Sequence, residues 1–279
     1  MLDLDFIIKK ALEEDIKNGD HTTLATIPPQ TQGTASLLIK DSGILAGIEV
    51  IRRIYQIFNP ELKLNVFIND GQEIKHSDIA FEIQGSVSSI LQTERLVLNI
   101  MQRMSGIATQ TNLYVKAIQG TKAKILDTRK TSPCLRLLEK MAVRIGGGYN
   151  HRFGLYDMIL IKDNHIDFAG SIENAIDKVR KYLKVKRLNL KIEIEVRNFH
   201  ELDRVLRKGG IDRIMLDNFT PKETETAVKL INKKYEVESS GGITLENIRQ
   251  YALAGVDYIS VGALTHQIHS LDMSLKKNI

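Results

Sequence analysis

Short apolar runs recur along the chain from residue 125 onward, and each of them ends on polar residues. The runs with their polar ends are KILDTRKT (124–131), MILIKDNH (158–165), KIEIEVR (191–197), RIMLDNF (213–219), YEVESSGG (235–242) and YISVGALTH (258–266). Segments with helical periodicity separate the later runs, at 171–184, 198–210, 221–234 and 244–255. Strands that alternate with single helices predict βαβ units and therefore a parallel sheet.

The polar strand ends recur at a regular interval, from Glu195 to Asp217, then to Ser239, and then to Gly262. Each step is about 22 residues, enough for one strand, one helix and their loops. Parallel strands whose carboxyl ends all carry polar groups are typical of a barrel with its active site on that face. Because the runs are too few for a regular eight-fold barrel, the pattern predicts an incomplete one.

The N-terminal part of the chain has a different pattern. LDFIIKKALEEDI (4–16) has the periodicity of an amphipathic helix, and TASLLIKDSGILAGIEV (34–50) indicates two strands around an Asp-Ser-Gly turn, followed by a helix to about Phe58. KLNVFIND and IAFEIQG are further strand candidates. A long helix follows, and Ser89 with Gln92 has the spacing of a capping box at its start. These elements predict an α+β domain.

The change of pattern predicts two continuous domains. The first is the α+β domain over residues 1–110, and the second is the α/β barrel over residues 111–266. The tail, residues 267–279, is expected to be helical and to pack back on the first domain.

Composition places the chain among ordinary soluble globular proteins, with 43% hydrophobic and 26% charged residues. No apolar run approaches the roughly 18 to 20 residues that span a bilayer, so no membrane association is expected. The single cysteine, Cys134, cannot form an internal disulfide, which favours a reducing cytoplasm. A net charge of +5 suits a small polyanionic substrate. Aromatic residues make up only 6% and tryptophan is absent, which argues against binding of single-stranded nucleic acid.

The strand ends predict an anion site. Arg129, Lys130, Lys162 and the loop pair His151 and Arg152 would repel one another in a cleft unless anions fill it. Arginine grips carboxylates and phosphates through two parallel hydrogen bonds, while lysine acts as a point charge.

Acidic and glycine-rich strand ends complete this candidate site. Glu195 and Asp217 could hold a divalent metal through oxygen ligands, and the segments SSGG and SVGA suit phosphate because their backbone N–H groups are accessible. Taken singly, each feature has an ordinary structural explanation, such as a solvated strand end, a helix cap or a turn. The coincidence at successive strand ends favours function.

Several segments together resemble one enzyme family. They are LEEDIKNGDHTT, TERLVLNIMQRMSGIAT, ILDTRKTSPCLRLLEKMAVRIGGGYNHRFGLYDMILIKDNHI, IEIEV, IMLDNF, ESSGGIT and VDYISVGALTH. This set is similar to quinolinate phosphoribosyltransferase, the decarboxylating nicotinate-nucleotide pyrophosphorylase of NAD biosynthesis, from about residue 11 to residue 272. The succession of DTRKT, GGGxNHRxGL and IKDNH is specific as a set.

The resemblance implies an activity and a fold. Quinolinate and phosphoribosyl pyrophosphate would react with Mg²⁺ to give nicotinate mononucleotide, carbon dioxide and pyrophosphate. The implied fold is an α/β protein with an N-terminal α+β sandwich domain and a C-terminal incomplete parallel α/β barrel of seven strands, one more than the apolar runs indicate. The implied assembly is a homodimer with shared active sites, in which Arg95 completes the site of the neighbouring subunit.

The resemblance also implies roles for individual residues. Catalysis would fall to Lys130, Lys162, Glu195 and Asp217, of which the two acids would also bind the metal. Substrate contacts would come from Arg95, Thr128, Arg129, Lys130, His151, Arg152, Lys162, Glu195, Asp217, Ser240, Gly241, Gly242, Val261, Gly262, Ala263 and His266.

Other functions fit parts of the pattern. A related protein encoded with molybdate transport shares much of it, and a nicotinate phosphoribosyltransferase would need to bind one carboxylate where this pocket suits two. The phosphoribosyltransferases with paired acids in a Rossmann-like sheet are matched weakly, because no second acid follows Asp127. A non-enzymatic metabolite sensor could retain the same barrel.

Overall fold

The computed structural model describes residues 3–277. Its first elements, in chain order, are α1 (Leu4–Ile16), α2 (His21–Thr26), β1 (Gln32–Ile39), β2 (Gly43–Ile44), α3 (Ile48–Phe58), β3 (Lys63–Val66), β4 (Glu73–Ile74), β5 (Ile79–Ser86) and α4 (Val87–Ala117). There follow β6 (Lys124–Leu126), α5 (Arg136–Ile145), β7 (Ile159–Ile161), α6 (Asp163–Ala169), α7 (Ile172–Lys186), β8 (Ile192–Val196), α8 (Phe199–Lys208), β9 (Arg213–Asp217), α9 (Pro221–Ile231), β10 (Glu236–Ser240), α10 (Ile248–Leu253), β11 (Tyr258–Ser260), α11 (Ala263–His266) and β12 (Met273–Lys277).

These elements form two compact units that interleave along the chain. One unit contains the residues up to Asn112, Thr131–Gly147 and the residues from Ala263 onward, and the other contains Leu113–Lys130 and Gly148–Gly262. The sequence pattern, by contrast, predicts two continuous domains. The segment around α5 belongs to the first unit because it packs closely on α4, where a Cβ atom at Gly146 would overlap the carbonyl oxygen of Ala108.

The first unit contains an antiparallel four-stranded sheet in the order β12-β1-β5-β3. The two strands predicted around the Asp-Ser-Gly turn are present as β1 and β2, but they do not pair with each other, because β2 pairs with β4 in a separate two-stranded sheet. The predicted helix in the tail is wrong: β12 pairs antiparallel with β1, and its alternating Met273 and Leu275 are buried. The capping box at Ser89 is wrong as well. Because α4 already begins at Val87, Ser89 lies inside the helix, and its N–H donates to the Ser86 hydroxyl.

The second unit contains a parallel six-stranded sheet in the order β6-β11-β10-β9-β8-β7. Helices α7, α8 and α9 connect successive strands from β7 to β10, as the alternating pattern predicts. The sheet is open between its edge strands β6 and β7, which confirms an incomplete barrel. A single parallel bridge between Leu126 and Tyr149 adds a short seventh element beside β6.

Helices α5 and α6 were not predicted from the sequence. Helix α6 starts directly after β7, so the polar residues that follow Ile161 begin a helix rather than a loop. Among residues 3–277, no helix combines the length and the apolar character that crossing a membrane requires.

Candidate active site

The carboxyl ends of the parallel strands bring the predicted polar residues to one edge of the sheet. Lys162 follows β7, Glu195 lies near the end of β8, and Asp217 and Ser240 end β9 and β10. Asp217 and Ser240 are paired in register, as are Ile161 and Ile194, the residues before Lys162 and Glu195. Residues paired in register project to the same face of a sheet, and Glu195 is paired with Met215, two residues before Asp217, so these side chains share one face.

Lys162 and Glu195 form the closest ion pair at this edge. The Lys162 Nζ lies 2.6 Å from the Glu195 Oε2, and the Lys162 side chain is 46% exposed against 9% for Glu195. The backbone N–H of Lys162 donates to the His165 Nδ1 at 2.9 Å, at the start of α6. The start of α6 therefore holds Lys162 where its ammonium meets a nearly buried carboxylate.

Asp217 and the glycine-rich segment after β10 are joined through Asn218. The Asn218 Nδ2 donates to the Asp217 Oδ2 at 2.8 Å, and its backbone N–H donates to the Ser240 carbonyl oxygen at 2.9 Å. Gly241 has φ +90°, and a Cβ atom there would overlap Asn218 Oδ1. A Cβ atom at Gly242, φ +60°, would meet nothing within 4 Å. The backbone at Gly242 is therefore open to close approach by a ligand.

A buried aspartate ties the two cationic loops together. Asp127 is fully buried, its Oδ1 accepts from the His151 backbone N–H at 2.9 Å, and its own N–H donates to the Tyr149 carbonyl oxygen. The segment that carries His151 and Arg152 is thereby held beside β6, which leads into Arg129. In the same loop the Lys130 N–H donates to the Thr128 hydroxyl at 3.1 Å.

Arg152 is a half-buried guanidinium with a second cation near it. Burial lowers its pKa, and the positive charge of Arg129 lowers that pKa further, while the carboxylate of Glu193 opposes both effects. The Arg152 Nη1 donates to the Met158 carbonyl oxygen at 3.2 Å. Two guanidinium groups that repel each other in this way form a site that an anion would stabilise.

His151 is bonded through both ring nitrogens to the protein itself. Its Nδ1 accepts from the Arg152 backbone N–H at 2.7 Å, and its Nε2 lies 2.9 Å from the Glu193 Oε2 and 3.6 Å from the Glu238 Oε2. Because Nδ1 is an acceptor, the ring proton belongs on Nε2. His151 therefore points into the barrel interior.

The barrel interior below this site contains an ionic network that was not predicted from the sequence. The Arg213 Nη1 lies 2.9 Å from the Glu238 Oε2, its Nη2 lies 3.1 Å from the Glu236 Oε2, and its guanidinium stacks 3.9 Å from the Tyr258 ring centre. Burial raises the pKa of Glu193 to about 7 and that of Glu238 to about 8. Acids at alternate positions of KIEIEVR and YEVESSGG are the signal that could have revealed the network.

The network makes stability depend on pH through Glu238. Because its pKa is raised to about 8 from 4.5, the folded state keeps a proton that the unfolded state releases between these values. Stability should therefore fall as pH rises through this window. We expect Glu238→Gln to gain thermal stability relative to the parent from pH 5 to pH 8, by on the order of 1 kcal/mol or about 2 °C.

Thermal melts of both proteins across this pH range measure the effect. Glu225→Gln is the matched control, because Glu225 is exposed on α9 and pairs with Lys229. Its melting temperature relative to the parent should not rise toward pH 8. A constant difference between Glu238→Gln and the parent at all pH values would contradict the prediction.

One cluster of three potential metal ligands exists within residues 3–277, and it includes neither member of the predicted pair, Glu195 and Asp217. His151, Glu193 and Glu238 bring their ligand atoms within 4.8 Å of one another. A metal at the Nε2 of His151 would require that nitrogen to lose its proton, whereas the bond from Arg152 to Nδ1 keeps the proton there. The cluster is better suited to hydrogen bonding than to metal binding.

The remaining predicted residues lie near the start of α11 and on α4. Val261 is buried and its N–H donates to the Leu126 carbonyl oxygen at 3.0 Å, and Gly262 follows it in the second unit. Ala263 and His266 lie in α11 of the first unit. Arg95 is exposed on α4, also in the first unit.

Comparisons with known proteins agree along nearly the whole chain. Residues 20–105 match the family described as quinolinate phosphoribosyl transferase, N-terminal domain, and residues 107–276 match the corresponding C-terminal domain. The chain is 45% identical over 290 residues to quinolinate phosphoribosyltransferase (decarboxylating) 1b of Nicotiana tabacum, covering 98% of this chain and 82% of that protein.

Two bacterial proteins show the same similarity. Nicotinate-nucleotide pyrophosphorylase (carboxylating) of Mycobacterium leprae is 42% identical over 274 residues, covering 96% of this chain and 95% of that protein. The crystal structure of NadC from Streptococcus pyogenes superimposes with a TM-score of 0.92 and is 41% identical, covering 98% of this chain and 95% of that chain.

Proposed function

Because the chain belongs to the quinolinate phosphoribosyltransferase family, we propose that it makes nicotinate mononucleotide for NAD biosynthesis. The reaction joins quinolinate to the phosphoribosyl group of phosphoribosyl pyrophosphate and releases carbon dioxide and pyrophosphate. One observation carries the proposal at the level of the site: the mutually repelling Arg129 and Arg152 lie in the unit whose strand ends present Lys162, Glu195 and Asp217. This arrangement suits a dicarboxylate beside a ribose phosphate.

The cationic side of the site suits quinolinate. Its two adjacent carboxylates match the planar guanidinium groups of Arg129 and Arg152, which can each form two parallel charge-assisted bonds. Lys130 and Lys162 add point charges at the same edge, and Glu195 holds the Lys162 ammonium at 2.6 Å. These groups orient the pyridine ring so that its nitrogen faces the anomeric carbon.

The acidic side suits the ribose. The transition state at the anomeric carbon develops positive charge as pyrophosphate leaves, and carboxylates stabilise such charge. Glu195 and Asp217 occupy the strand ends where they can do so, while the open backbone at Gly242 and the segment from Val261 to Ala263 suits the phosphates.

Mg²⁺ fits the donor set of the same two acids. It is typically bound through one or two carboxylates together with substrate phosphates, so Glu195 and Asp217 suffice without a third protein ligand. The bound ion would neutralise charge on the departing pyrophosphate. Glu195 would share its carboxylate between that ion and Lys162.

Decarboxylation follows from the chemistry of the substrate. Once the ring nitrogen is bonded to ribose it carries positive charge, and this charge stabilises the carbanion that forms at C2 when the carboxylate leaves. The role of the protein is to hold the ring in place, and no covalent nucleophile is needed. Cys134, exposed in the loop before α5, has no part in the reaction.

The active assembly is a homodimer in which each site is shared, and Arg95 reaches the site of the neighbouring subunit. Two features of α4 support this. Arg95 is exposed, and Leu91, one turn before it, is 40% exposed, whereas Val97, Leu98 and Met101 in the following turns are buried. A second copy of the chain would cover the exposed surface formed by Leu91 and Arg95. We place the dimer in the cytoplasm, which suits its single free cysteine.

Release of carbon dioxide from carboxyl-labelled quinolinate by purified protein tests the function. We expect release that depends on both phosphoribosyl pyrophosphate and Mg²⁺, with formation of nicotinate mononucleotide. Turnover of nicotinate but not quinolinate would favour a nicotinate phosphoribosyltransferase instead. Binding of either compound without turnover would favour a metabolite sensor or the molybdate-associated relative.

The role of the acids gives a separate prediction. Asp217→Asn should raise the Mg²⁺ concentration needed for activity and lower kcat by about 10²-fold, because one stabilising carboxylate is lost. Calorimetry should show nearly unchanged quinolinate affinity. Asp203→Asn, at an exposed position on α8 paired with Arg207, is the matched control and should retain full activity. Lost quinolinate affinity with unchanged Mg²⁺ dependence would mean that Asp217 serves the other substrate.

A further inference from the structure

The interior network described above has an unusual feature for a structural ion cluster. Glu193 and Glu238 are both fully buried, and in each of them the Oε1 atom has no hydrogen-bond partner within the described residues. Buried carboxylates with an unsatisfied oxygen reduce stability, so a structure that needed only packing would gain from apolar residues there. Such groups are typical of positions kept for function.

Glu193 and Glu238 both approach His151, the residue next to Arg152 in the substrate site. Both Oε2 atoms approach the His151 Nε2, at 2.9 Å and 3.6 Å. On the other side of the ring, the Nδ1 accepts the backbone N–H of Arg152 at 2.7 Å. The ring is only 6% exposed and is therefore a connector between the interior acids and Arg152.

The backbone N–H of Arg152 determines where the ring proton of His151 lies. A backbone N–H can only donate, so the Nδ1 accepts from Arg152 and the ring proton lies on the Nε2, which faces the Oε2 atoms of Glu193 and Glu238. Asp127 holds the backbone of His151 from β6. The backbone before the Arg152 side chain is thus restrained from both β6 and β8.

We propose that Glu193 and Glu238 are positioning residues for the quinolinate grip, which set the place of Arg152 through the ring of His151. This inference rests on the proposed function, because it concerns how that site takes its dicarboxylate. The negative charge of Glu193 also offsets the charge repulsion between Arg129 and Arg152. Glu193 therefore acts on Arg152 directly as well as through His151.

The test is a comparison of steady-state kinetics in Glu193→Gln, Glu238→Gln and the parent. Glutamine keeps the size of the side chain but can present an N–H to His151 and cannot balance the two arginines. We expect the KM for quinolinate to rise about tenfold or more, since small misplacement of a binding group has large effects, while the KM for phosphoribosyl pyrophosphate stays within about twofold. Melting temperatures at pH 8 should be equal to or above that of the parent.

Glu236→Gln is the matched control. Glu236 lies on β10 with Glu238, but its carboxylate pairs with Arg213 and Lys191 instead of approaching the His151 Nε2 as Glu238 does, so its substitution should leave the KM for quinolinate unchanged. An unchanged KM in Glu193→Gln, or an equal rise for both substrates, would overturn the proposal.

A second measurement does not depend on the variants being folded. In histidine-labelled parent protein, the ¹⁵N signals of the His151 ring, assigned by comparison with His151→Asn, should show a protonated Nε2 and an unprotonated Nδ1. The opposite tautomer would overturn the proposal. If the parent released no carbon dioxide from quinolinate, the proposed function would fail while this tautomer could still be found, so the two failures can be told apart.

Discussion

Substitution of Arg129 by lysine is expected to lower kcat/KM for quinolinate by about 10²-fold or more. Lysine keeps the positive charge but loses the planar pair of donors, so charge-assisted bonding worth roughly 3 kcal/mol would be misplaced. The structure strengthens this expectation, since Arg129 lowers the pKa of Arg152 and the two cations therefore face a common region. Steady-state kinetics with quinolinate varied at saturating phosphoribosyl pyrophosphate measure the effect.

The matched control is the same change at an exposed arginine of the barrel unit. Arg207 on α8 pairs with Asp203 and its side chain is 79% exposed, so Arg207→Lys should keep the kinetic constants of the parent. If Arg129→Lys also stayed near the efficiency of the parent, a bidentate carboxylate contact at Arg129 would be ruled out.

Much of the barrel was predictable because its signal is local. The apolar runs from 191 to 240 each became a buried parallel strand, and the helices between them have an apolar stripe and polar caps such as Asn198 and Thr220. Helix α6 was missed because it begins directly on the polar residues after β7, without a separating loop. Strand β12 was missed because a short edge strand obtains its stability from its partner β1, which is more than 200 residues away in sequence.

In the candidate site, too, some residues could be predicted from the sequence and others could not. The residues at the strand ends could be named from the sequence, because a parallel sheet brings its carboxyl ends to one edge whatever the details of packing. Glu193, Glu238 and Arg213 were not named, although the acids alternate along their strands, because acids and an arginine inside strands are ordinarily expected at exposed positions. Their burial depends on one another and on His151, which a loop supplies from elsewhere in the chain. The inward direction of His151 likewise follows only from these contacts.

Arg95→Ala is expected to abolish most activity in the homodimer. Mixing it with the Lys162→Ala variant, which is also defective, is expected to restore part of that activity. In the proposed dimer, Arg95→Ala would remove a substrate contact that each subunit supplies to its neighbour, whereas Lys162→Ala would remove one from the subunit's own barrel edge. In a heterodimer of the two variants, one of the two sites has both residues intact. With random exchange about half of the dimers are mixed, so activity should recover to about a quarter of the parent value.

Subunit exchange must be shown independently, for example by mass spectrometry of differently tagged chains. A failure to recover activity then cannot be explained by a failure to form heterodimers. Arg52→Ala is the matched control for the arginine: the Arg52 side chain on α3 is 42% exposed and pairs with Glu49, and its removal should leave activity intact without any second variant. If Arg95 were only an exposed surface cation, its alanine variant would behave in the same way. If activity is lost and confirmed heterodimers do not restore it, Arg95 serves the site of its own chain and the shared-site dimer is wrong.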